Sequence, residues 1–439
     1  MRSSSSIMLV PFSGDGSGTE ELTWGQWDVW FMMRMSGTPR MAGGTMPLAA
    51  GTTVEQIAHL LSFIVSRHQS LRTRIQLSPD GTPSQVLSAS GEVALEVVDT
   101  LDDPAAVAET VRARFASEPF ELETDWPVRM AVVQQAGKPA HFVAMYPHVV
   151  IDGYGFDALA RDLALLDQST GQHLGPRSGV QPMDLARQQR GASALRQSAA
   201  SLRYWESVLR DNPVPQFGQL PPRSPRYWEA TYDSPAALLA LQALSVRTGL
   251  PSGPLLMAAY ASALAEVTGV ARRVIRTQVS NRFRPGFRDS VSILVQAGLC
   301  AVSTGGPLLD VAAAAWRSQL AAGKHAYYDP RSLWALLSAL EAELGFAPDP
   351  LCYFNDRRRT VAGFDGVAPS RASILAAQPL SRLTPGVRYD NTDVTAYLNI
   401  NAVPGTLNYT LRADTAALSP TDLEHILLSI ESRLIHAAI

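Results

Sequence analysis

The chain has 439 residues, of which 46% are hydrophobic and 18% charged. This is the balance of a globular protein with room for two or three domains. A formal net charge of −3 argues against a global nucleic-acid binder or a polybasic membrane-surface protein, although it leaves local basic patches open. Two cysteines, Cys300 and Cys352, exclude a disulfide framework and a cysteine-based zinc site. No apolar run approaches the roughly 18 residues that cross a bilayer, and no signal peptide is evident, so a cytoplasmic protein is expected.

The first half of the chain alternates between predicted helices and strands. Residues 1–20 are Ser/Gly-rich and are predicted to be mobile. Apolar residues at helical spacing predict an amphipathic helix over 54–67. The further predictions are a strand over 93–100, a helix over 103–118, a hairpin over 130–135 and 141–147, and helices over 157–166 and 182–210.

The second half repeats this order after a Pro-rich stretch over 212–225, which is the best linker candidate. The predicted elements are helices over 254–269 and 308–323, strands over 273–280, 351–355, 395–400 and 406–412, and a closing helix from Pro420. Two α+β halves of similar size, joined near 200–225, are therefore expected.

The segment YPHVVIDGYGF carries the strongest candidate for chemistry. His148 ends an apolar strand, Asp152 follows four residues later, and Gly153 stands before a helix. A strand-to-helix junction can hold a side chain rigidly, and histidine can act as a general base near neutral pH. Gly153 permits close approach of a substrate and offers an N–H to an oxyanion. Because H-x-x-x-D-G fixes only three positions, a core histidine beside an ordinary Asp-Gly turn is the alternative.

Other segments add specificity because they occur in a fixed order along nearly the whole chain. They are LTWGQWDVWF (22–31), RHQSLRTRI (67–75), PFELETDWPVR (119–129), YW (204–205), RTQVSNR (276–282), SVSILVQAGLC (290–300), HAYYDP (325–330), CYFND (352–356) and DVTAYLNI (393–400). With the histidine motif, this series resembles the condensation domains of nonribosomal peptide synthetases, within the chloramphenicol-acetyltransferase-like acyltransferases. The family motif H-H-x-x-x-D-G reads here from Pro147 to Gly153.

The chain departs from the family pattern at several positions. Pro147 replaces the first histidine of the motif, and Gly155 and Gln296 stand where relatives usually have serine and asparagine. Asn281-Arg282 stands where relatives have Gly-Arg. These changes indicate a reshaped acceptor channel, and the absence of the D-x-x-x-x-D variant argues against heterocycle formation.

The resemblance implies an α+β fold (an α/β sandwich) of two chloramphenicol-acetyltransferase-like lobes in a V-shaped pseudodimer. The lobes are expected over 18–200 and 226–439, with a linker over 201–225. It also implies a histidine in a tunnel between the lobes, where a phosphopantetheine arm delivers the acyl donor and the nucleophile enters from the other side. No metal and no tightly bound cofactor are expected.

The resemblance also suggests roles for individual residues. His148 is the catalytic candidate, Asp152 fixes the loop through an ion pair with Arg282, and Gly153 supplies the oxyanion N–H. The substrate-binding candidates are Tyr154, Phe156, Gln296 and Asn355. The alternative is a core position for the two aromatic residues and an ordinary turn residue for Asn355. His68, His141 and His325 are interpreted as structural. The arginines at 272–273 and 357–359 are candidates for docking a carrier protein, with a solvated face as the alternative.

The chain contains one condensation unit and no adenylation or carrier segment, so a freestanding monomeric enzyme is expected. It would transfer an acyl or aminoacyl group from an acyl or peptidyl carrier protein, met in trans, to an amine or hydroxyl, forming an amide or ester. One alternative is an acyl-CoA-dependent O- or N-acyltransferase of the same superfamily. The other is a catalytically inactive domain that recruits a partner. His148 either takes the proton of the nucleophile or mainly positions it.

Overall fold

The chain forms two compact units. The computed structural model describes residues 3–166, 175, 179–348, 351–358, 366–392 and 394–439. Unit 1 comprises Met1–Leu195 with Ser280–Val295, and unit 2 comprises Arg196–Val279 with Gln296–Ile439. Residues 280–295 thus belong to unit 1, although the sequence boundaries placed them in the C-terminal lobe. Within the described stretches, no helix combines the length and hydropathy needed to span a membrane.

Unit 1 is built on a five-stranded sheet and a smaller three-stranded sheet. Its strands are β1 (Ser3–Ser13), β2 (Gly18–Glu21), β3 (Met41–Pro47), β4 (Thr73–Leu77), β5 (Pro83–Leu87), β6 (Ser90–Thr100), β7 (Arg129–Gln135) and β8 (Lys138–Pro147). Its helices are α1 (Trp24–Ser36), α2 (Val54–Arg67), α3 (Pro104–Ser117), α4 (Gly153–Leu163) and α5 (Pro182–Gln189). The sheet orders are β1-β6-β7-β8-β3 and β2-β5-β4.

Both faces of the five-stranded sheet are covered. Val132 of β7 packs in the core cluster that contains α2, whereas its neighbour Val133 packs in the cluster that contains α3. Successive residues of a strand point to opposite faces. A strand buried on both faces therefore has a continuous apolar run, as MAVV does at the start of β7.

The expectation that residues 1–20 are mobile is wrong for residues 3–13. Residues 3–13 form β1, which pairs with β6 along its whole length, from Ser3 opposite Thr100 to Ser13 opposite Ser90. The first four residues of β1 are serines, which have no local strand signal, whereas residues 7–12 are apolar. The ladder with β6 orders both parts of the segment.

Unit 2 is built on a seven-stranded mixed sheet in the order β11-β10-β12-β14-β15-β9-β13. Its strands are β9 (Tyr227–Ser234), β10 (Arg272–Val279), β11 (Gln296–Ser303), β12 (Cys352–Asp356), β13 (Arg382–Tyr389), β14 (Ala396–Asn401) and β15 (Leu407–Asp414). Its helices are α7 (Pro235–Thr248), α8 (Ser252–Thr268), α9 (Leu308–Lys324), α10 (Pro330–Leu344), α11 (Arg371–Ala377) and α12 (Pro420–Ala438). Helix α8 is buried over most of its length, which explains why its sequence is almost entirely apolar.

The helix α6 (Ala192–Arg210) contains the first of the three points at which the chain passes between the two units. The predicted helix over 182–210 is therefore two helices, because α5 ends at Gln189 and α6 begins after Gly191. Residues 201–210 of the expected linker are helical, and the Pro-rich stretch over 212–225 contains no helix or strand.

Candidate active site

His148 lies in the short connection between β8 and α4. Its backbone N–H donates to the carbonyl oxygen of Arg40 at 2.7 Å, and its Nδ1 lies 2.7 Å from the carbonyl oxygen of Ile151. Because a carbonyl can only accept, this contact assigns the proton of the neutral ring to Nδ1. The other ring nitrogen, Nε2, then carries the lone pair that a general base needs.

The surroundings of His148 favour its neutral form. Burial lowers the pKa of His148 below the ordinary value of 6.5, and the nearby charge of Arg40 acts in the same direction. The hydrogen bond to Ile151 and the charge of Asp152 oppose this shift without overcoming it. The imidazole is therefore unprotonated at neutral pH and can accept a proton.

Asp152 is a fully bonded carboxylate with 1% of its surface exposed. Its Oδ1 accepts from the backbone N–H of Gly155 and from Arg282 Nη2, both at 2.7 Å. Its Oδ2 accepts from the backbone N–H groups of Leu294 at 2.8 Å and Val295 at 3.2 Å. The ion pair expected between Asp152 and Arg282 is thus present, and the carboxylate caps α4. A carboxylate used in this way positions a loop and is not available as a base.

Arg282 makes several hydrogen bonds within residues 280–295 and joins this segment to Asp152 of the His148 connection. Its Nη1 donates to the carbonyls of Phe287 and Ser290 at 3.1 and 2.7 Å, and Nη2 donates to the carbonyl of Ser292 at 3.2 Å. The preceding residue, Asn281, has φ +57°. This left-handed conformation favours glycine and tolerates asparagine, which explains why Asn281 can replace the glycine of the family pattern.

The other unit 1 candidates differ in exposure. Gly153 is exposed, and a Cβ placed on it would meet no heavy atom of the structure within 4 Å. Tyr154 is 39% exposed. Phe156, in contrast, is half-buried and packs edge-on against Tyr146 at 5.5 Å between ring centroids. Phe156 therefore contributes to the core of unit 1, which was the alternative interpretation of this residue.

The two remaining candidates lie in unit 2 and have partners there. Gln296 is 2% exposed, and its Nε2 donates to the carbonyl oxygen of Tyr328 at 2.9 Å. Asn355 donates from Nδ2 to Oδ1 of Asn399, which faces it on the neighbouring strand, at 3.0 Å. Both side-chain amides thus have structural contacts within unit 2, and substrate binding by either residue remains a prediction.

Two residues of the segment RHQSLRT (67–73) bind a carboxylate in the last turn of α4. Arg67 Nε and His68 Nε2 lie 2.6 and 3.1 Å from Oδ2 of Asp162, and Ser70 Oγ donates to the carbonyl of Val291 at 2.7 Å. His68 therefore has the structural role expected for it. Asp162 was missed at the sequence level because it lies in an ordinary amphipathic helix, and its partners are distant in the chain.

The stability of unit 1 is expected to fall between about pH 4 and pH 2. Burial would raise the pKa of Asp162, but hydrogen bonds from His68 and Arg67 outweigh it and lower the pKa to about 2, from an ordinary 3.8. A carboxyl group with a depressed folded-state pKa stabilises the fold above its unfolded-state pKa, and this contribution is lost as the pH falls through the folded value. Chemical denaturation from pH 5 to pH 2 should show a weaker pH dependence in Asp162→Asn than in wild type. Equal slopes would contradict the assignment.

The environment of Gly155 has no room for a side chain. A Cβ on Gly155 would lie 2.7 Å from Ile151 Cγ1 and 3.3 Å from the carbonyl oxygen of Ser292. We expect Gly155→Ser to lower the free energy of unfolding by about 1–3 kcal/mol, the usual effect of overpacking. The measurement is chemical denaturation beside Gly153→Ser, whose site is open, and equal losses would contradict the prediction.

Among the described residues, no three His, Cys, Asp or Glu side chains come together in a way that could hold a metal ion.

The arginines expected to dock a carrier protein differ in exposure. Arg273 is completely buried and bonded to the carbonyl of Gln216 and the hydroxyl of Thr268, so the expectation that it docks a carrier protein is wrong. Arg357 is exposed, whereas Arg358 pairs with Asp356 at 2.7 Å. Position 359 of this arginine run lies outside the described residues.

Three features together define an acyltransferase of the condensation type. They are the fold, the connection with His148 whose Asp152 caps α4, and the order of the sequence motifs along the chain. A family model described as "Condensation domain" matches residues 22–295, and the chain belongs to this family. Condensation domains are acyltransferases that form amide or ester bonds in natural-product biosynthesis.

Two curated relatives are peptide synthetases. The chain is 28% identical over 299 residues to "Phosphinothricin tripeptide synthetase PhsC" of Streptomyces viridochromogenes, covering 64% of this chain and 27% of that protein. It is 25% identical over 297 residues to "Nonribosomal peptide synthetase kk1B" of Curvularia clavata, covering 64% of this chain and 2% of that protein. The chain therefore spans about a quarter or less of the length of these relatives.

Solved structures of low sequence identity share the fold. The condensation domain from the Monacolin K polyketide synthase MokA matches with a TM-score of 0.73 at 18% identity, over 97% of this chain and 98% of that one. SgcC5 from Streptomyces globisporus matches with a TM-score of 0.70 at 18% identity, over 95% and 98%. Both confirm the α+β fold with two acetyltransferase-like lobes.

Proposed function

We propose that this chain transfers an acyl group from a thioester on the phosphopantetheine arm of a carrier protein to an amine or hydroxyl. The observation that supports this proposal is the contact between His148 Nδ1 and the Ile151 carbonyl, at 2.7 Å. It fixes the tautomer in which Nε2 is basic. The lowered pKa of His148 keeps that nitrogen unprotonated at neutral pH.

In the proposed step, Nε2 of His148 takes the proton of the nucleophile as its oxygen or nitrogen attacks the thioester carbonyl. The carbon–sulfur bond of the resulting tetrahedral intermediate then breaks. The leaving thiolate takes the proton from the imidazolium, so that the products are the amide or ester and a free thiol. General-base help of this kind is worth about 10²–10⁴-fold in rate.

The other residues of the cluster would act around this step. Asp152 and Arg282 position the His148 connection and the start of α4 through their buried ion pair. The amino-terminal end of α4, beginning at Gly153, carries the partial positive charge that stabilises a developing oxyanion. The open space at Gly153 leaves room for the substrate beside that helix end.

The chemistry of the acceptor decides how much His148 contributes. A free α-amine has a pKa near ~8 and is partly unprotonated at neutral pH, so positioning already brings much of the rate. A hydroxyl is a weak nucleophile until its proton is removed. The dependence on His148 is therefore larger for ester formation than for amide formation.

The test is intact-protein mass spectrometry of an acyl-loaded carrier protein, added as a separate protein with a panel of amines and alcohols. Acyl loss that requires both a nucleophile and His148 would support the proposal. Parallel reactions contain acyl-CoA in place of the carrier. Turnover with acyl-CoA alone would favour the acyl-CoA-dependent alternative, and no turnover with any donor would favour the inactive recruitment domain.

The pH profile is expected to reflect the environment of His148. Because burial lowers its pKa, the acid limb of kcat/KM should have its midpoint below pH 6.5, and activity should be lost only as the ring becomes protonated. The measurement is kcat/KM from pH 5 to pH 8 with a hydroxyl acceptor, whose own ionisation does not interfere. A midpoint above 6.5 would contradict this assignment.

A further inference from the structure

Unit 1 contains a cavity of about 410 Å³ that none of the residues of the His148 connection lines. Its wall combines β1, the first half of β6 and the residues between α3 and β7. The volume lies within the range of small-molecule sites, about 300–1,000 Å³. The cavity therefore has the size of a ligand site and is separate from the chemistry proposed above.

The cavity is lined by an arginine stacked on a tryptophan. The guanidinium carbon of Arg74 lies 3.6 Å from the ring centroid of Trp126. Trp126 is fixed by a 2.8 Å hydrogen bond from Nε1 to the carbonyl of Glu92, and by the ring of Phe12, which meets it edge-on at 4.9 Å. The indole thus holds the guanidinium in one orientation, which is the preorganisation that a binding site needs.

The positive charge of Arg74 is not neutralised by an ion pair. No carboxylate forms one with Arg74 in the described part of the chain, and its buried Nε has no acceptor there. Burial lowers the pKa of the Arg74 guanidinium, and the negative charge of Asp125 opposes this shift without overcoming it. A half-buried cation without an ion-paired carboxylate is costly and favours an anionic ligand.

Other charged side chains that line the cavity already form ion pairs or hydrogen bonds. Arg129 donates to the carbonyls of Phe115, Glu118 and Pro119 at 2.6–3.1 Å, and it lies 3.6 Å from Asp125. Arg114 and Glu96 pair at 2.6 Å. Arg74 and the exposed Glu92 remain as the lining charges for which the described residues provide no ion pair.

The cavity also has an apolar side. Ile7 and Leu9 of β1 line it and are each 60% exposed, and Phe115 of α3 borders the same space. Ile7 and Leu9 lie on the opposite face of β1 from the buried Val10 and Phe12, as the alternation of a strand requires. A ligand body placed there would cover apolar surface that the chain leaves in water.

We propose that this cavity binds a carboxylate with an apolar body, such as an aryl-alkyl or medium-chain carboxylic acid. The carboxylate accepts from the Nη groups of Arg74, and the apolar body covers Ile7 and Leu9 beside Trp126. The inference does not depend on the proposed acyl transfer, because it rests on residues outside the His148 cluster.

The test uses 4-phenylbutyrate as the probe and the neutral 4-phenylbutyramide as its match. The protein is labelled with 5-fluorotryptophan, and the fluorine resonance of Trp126 is assigned from Trp126→Phe. Titration should shift this resonance with the acid and leave it nearly unchanged with the amide. Arg74→Gln should weaken binding by about ten- to a hundredfold, the value of a charge-assisted hydrogen-bond pair.

Three variants make the test specific. Arg388→Gln removes a guanidinium that lies 3.9 Å over the ring of Trp228 in unit 2 and should leave binding unchanged. Glu92→Gln should tighten binding, since it removes from the lining of the cavity a negative charge that repels the carboxylate of the ligand. His148→Ala should bind as wild type does, which separates this site from the proposed active site. Equal binding of acid and amide, or equal affinity of Arg74→Gln and wild type, would overturn the proposal.

Discussion

Replacing His148 with alanine is expected to lower kcat/KM about 10²–10⁴-fold with a hydroxyl acceptor, and by less with an amine. The loss follows from removing the Nε2 lone pair that the Ile151 contact makes available. The amine is less affected because part of it is already unprotonated. The measurement is the rate of acyl loss from the loaded carrier, followed by mass spectrometry with each acceptor.

The matched control is His59→Ala, which removes an exposed histidine of α2 in the same unit. It should change neither kcat/KM nor the melting temperature. His148→Ala should also melt close to wild type, since the lost side chain is half-buried and makes one hydrogen bond to the backbone. A His148→Ala enzyme that turns over as fast as wild type, with a fold intact by circular dichroism, would refute the catalytic role.

Replacing Asp152 with alanine is expected to lower the free energy of unfolding by about 3–5 kcal/mol. The substitution leaves Arg282, whose side chain is 8% exposed, with no carboxylate at the position of its partner. It also removes the cap of α4 and the acceptor for the N–H groups of Leu294 and Val295. Breaking a buried pair costs more than the pair contributes, because one charge remains buried and uncompensated.

The chain provides a matched control in the same two segments. Arg161 of α4 and Asp289 form a second ion pair, at 3.1 Å, with side chains 46% and 37% exposed. We expect Asp289→Ala to cost less than about 1 kcal/mol, as exposed pairs do. A double-mutant cycle with Asp152→Ala and Arg282→Ala should show strong coupling. Similar losses for Asp152→Ala and Asp289→Ala would contradict the assigned role of the buried pair.

Several features of unit 1 are local, and the sequence determines them. The predicted helix over 54–67 matches α2, because its apolar spacing and the cap at Thr53 act within a few residues. The helix predicted over 103–118 matches α3 for the same reason, with Pro104 in its first turn. The likeness to condensation domains was also evident from short segments in order, and the family match confirms it.

Other features depend on partners far away in the chain, and only the tertiary structure decided them. The four serines at the start of β1 have no strand signal of their own, and the ladder with β6 places them in the sheet. The amide of Gln296 is directed to Tyr328, a contact that no periodicity predicts. A single sequence contains the propensity of each segment but not the free energy of pairing between segments, so these outcomes follow from packing.

The site shows the same division between local and tertiary information. The motif from His148 to Gly153 is local, so its position between a strand and a helix could be predicted. The tautomer of His148 depends on the turn that brings the Ile151 carbonyl to Nδ1. The placement of residues 280–295 in unit 1 depends on Asp152, which binds Arg282 and two backbone N–H groups of that segment. The sequence by itself determined which residues could carry the chemistry. The tertiary structure decided the protonation of His148 and the partners of Asp152 and Arg282, because burial and hydrogen bonding act only in the folded chain.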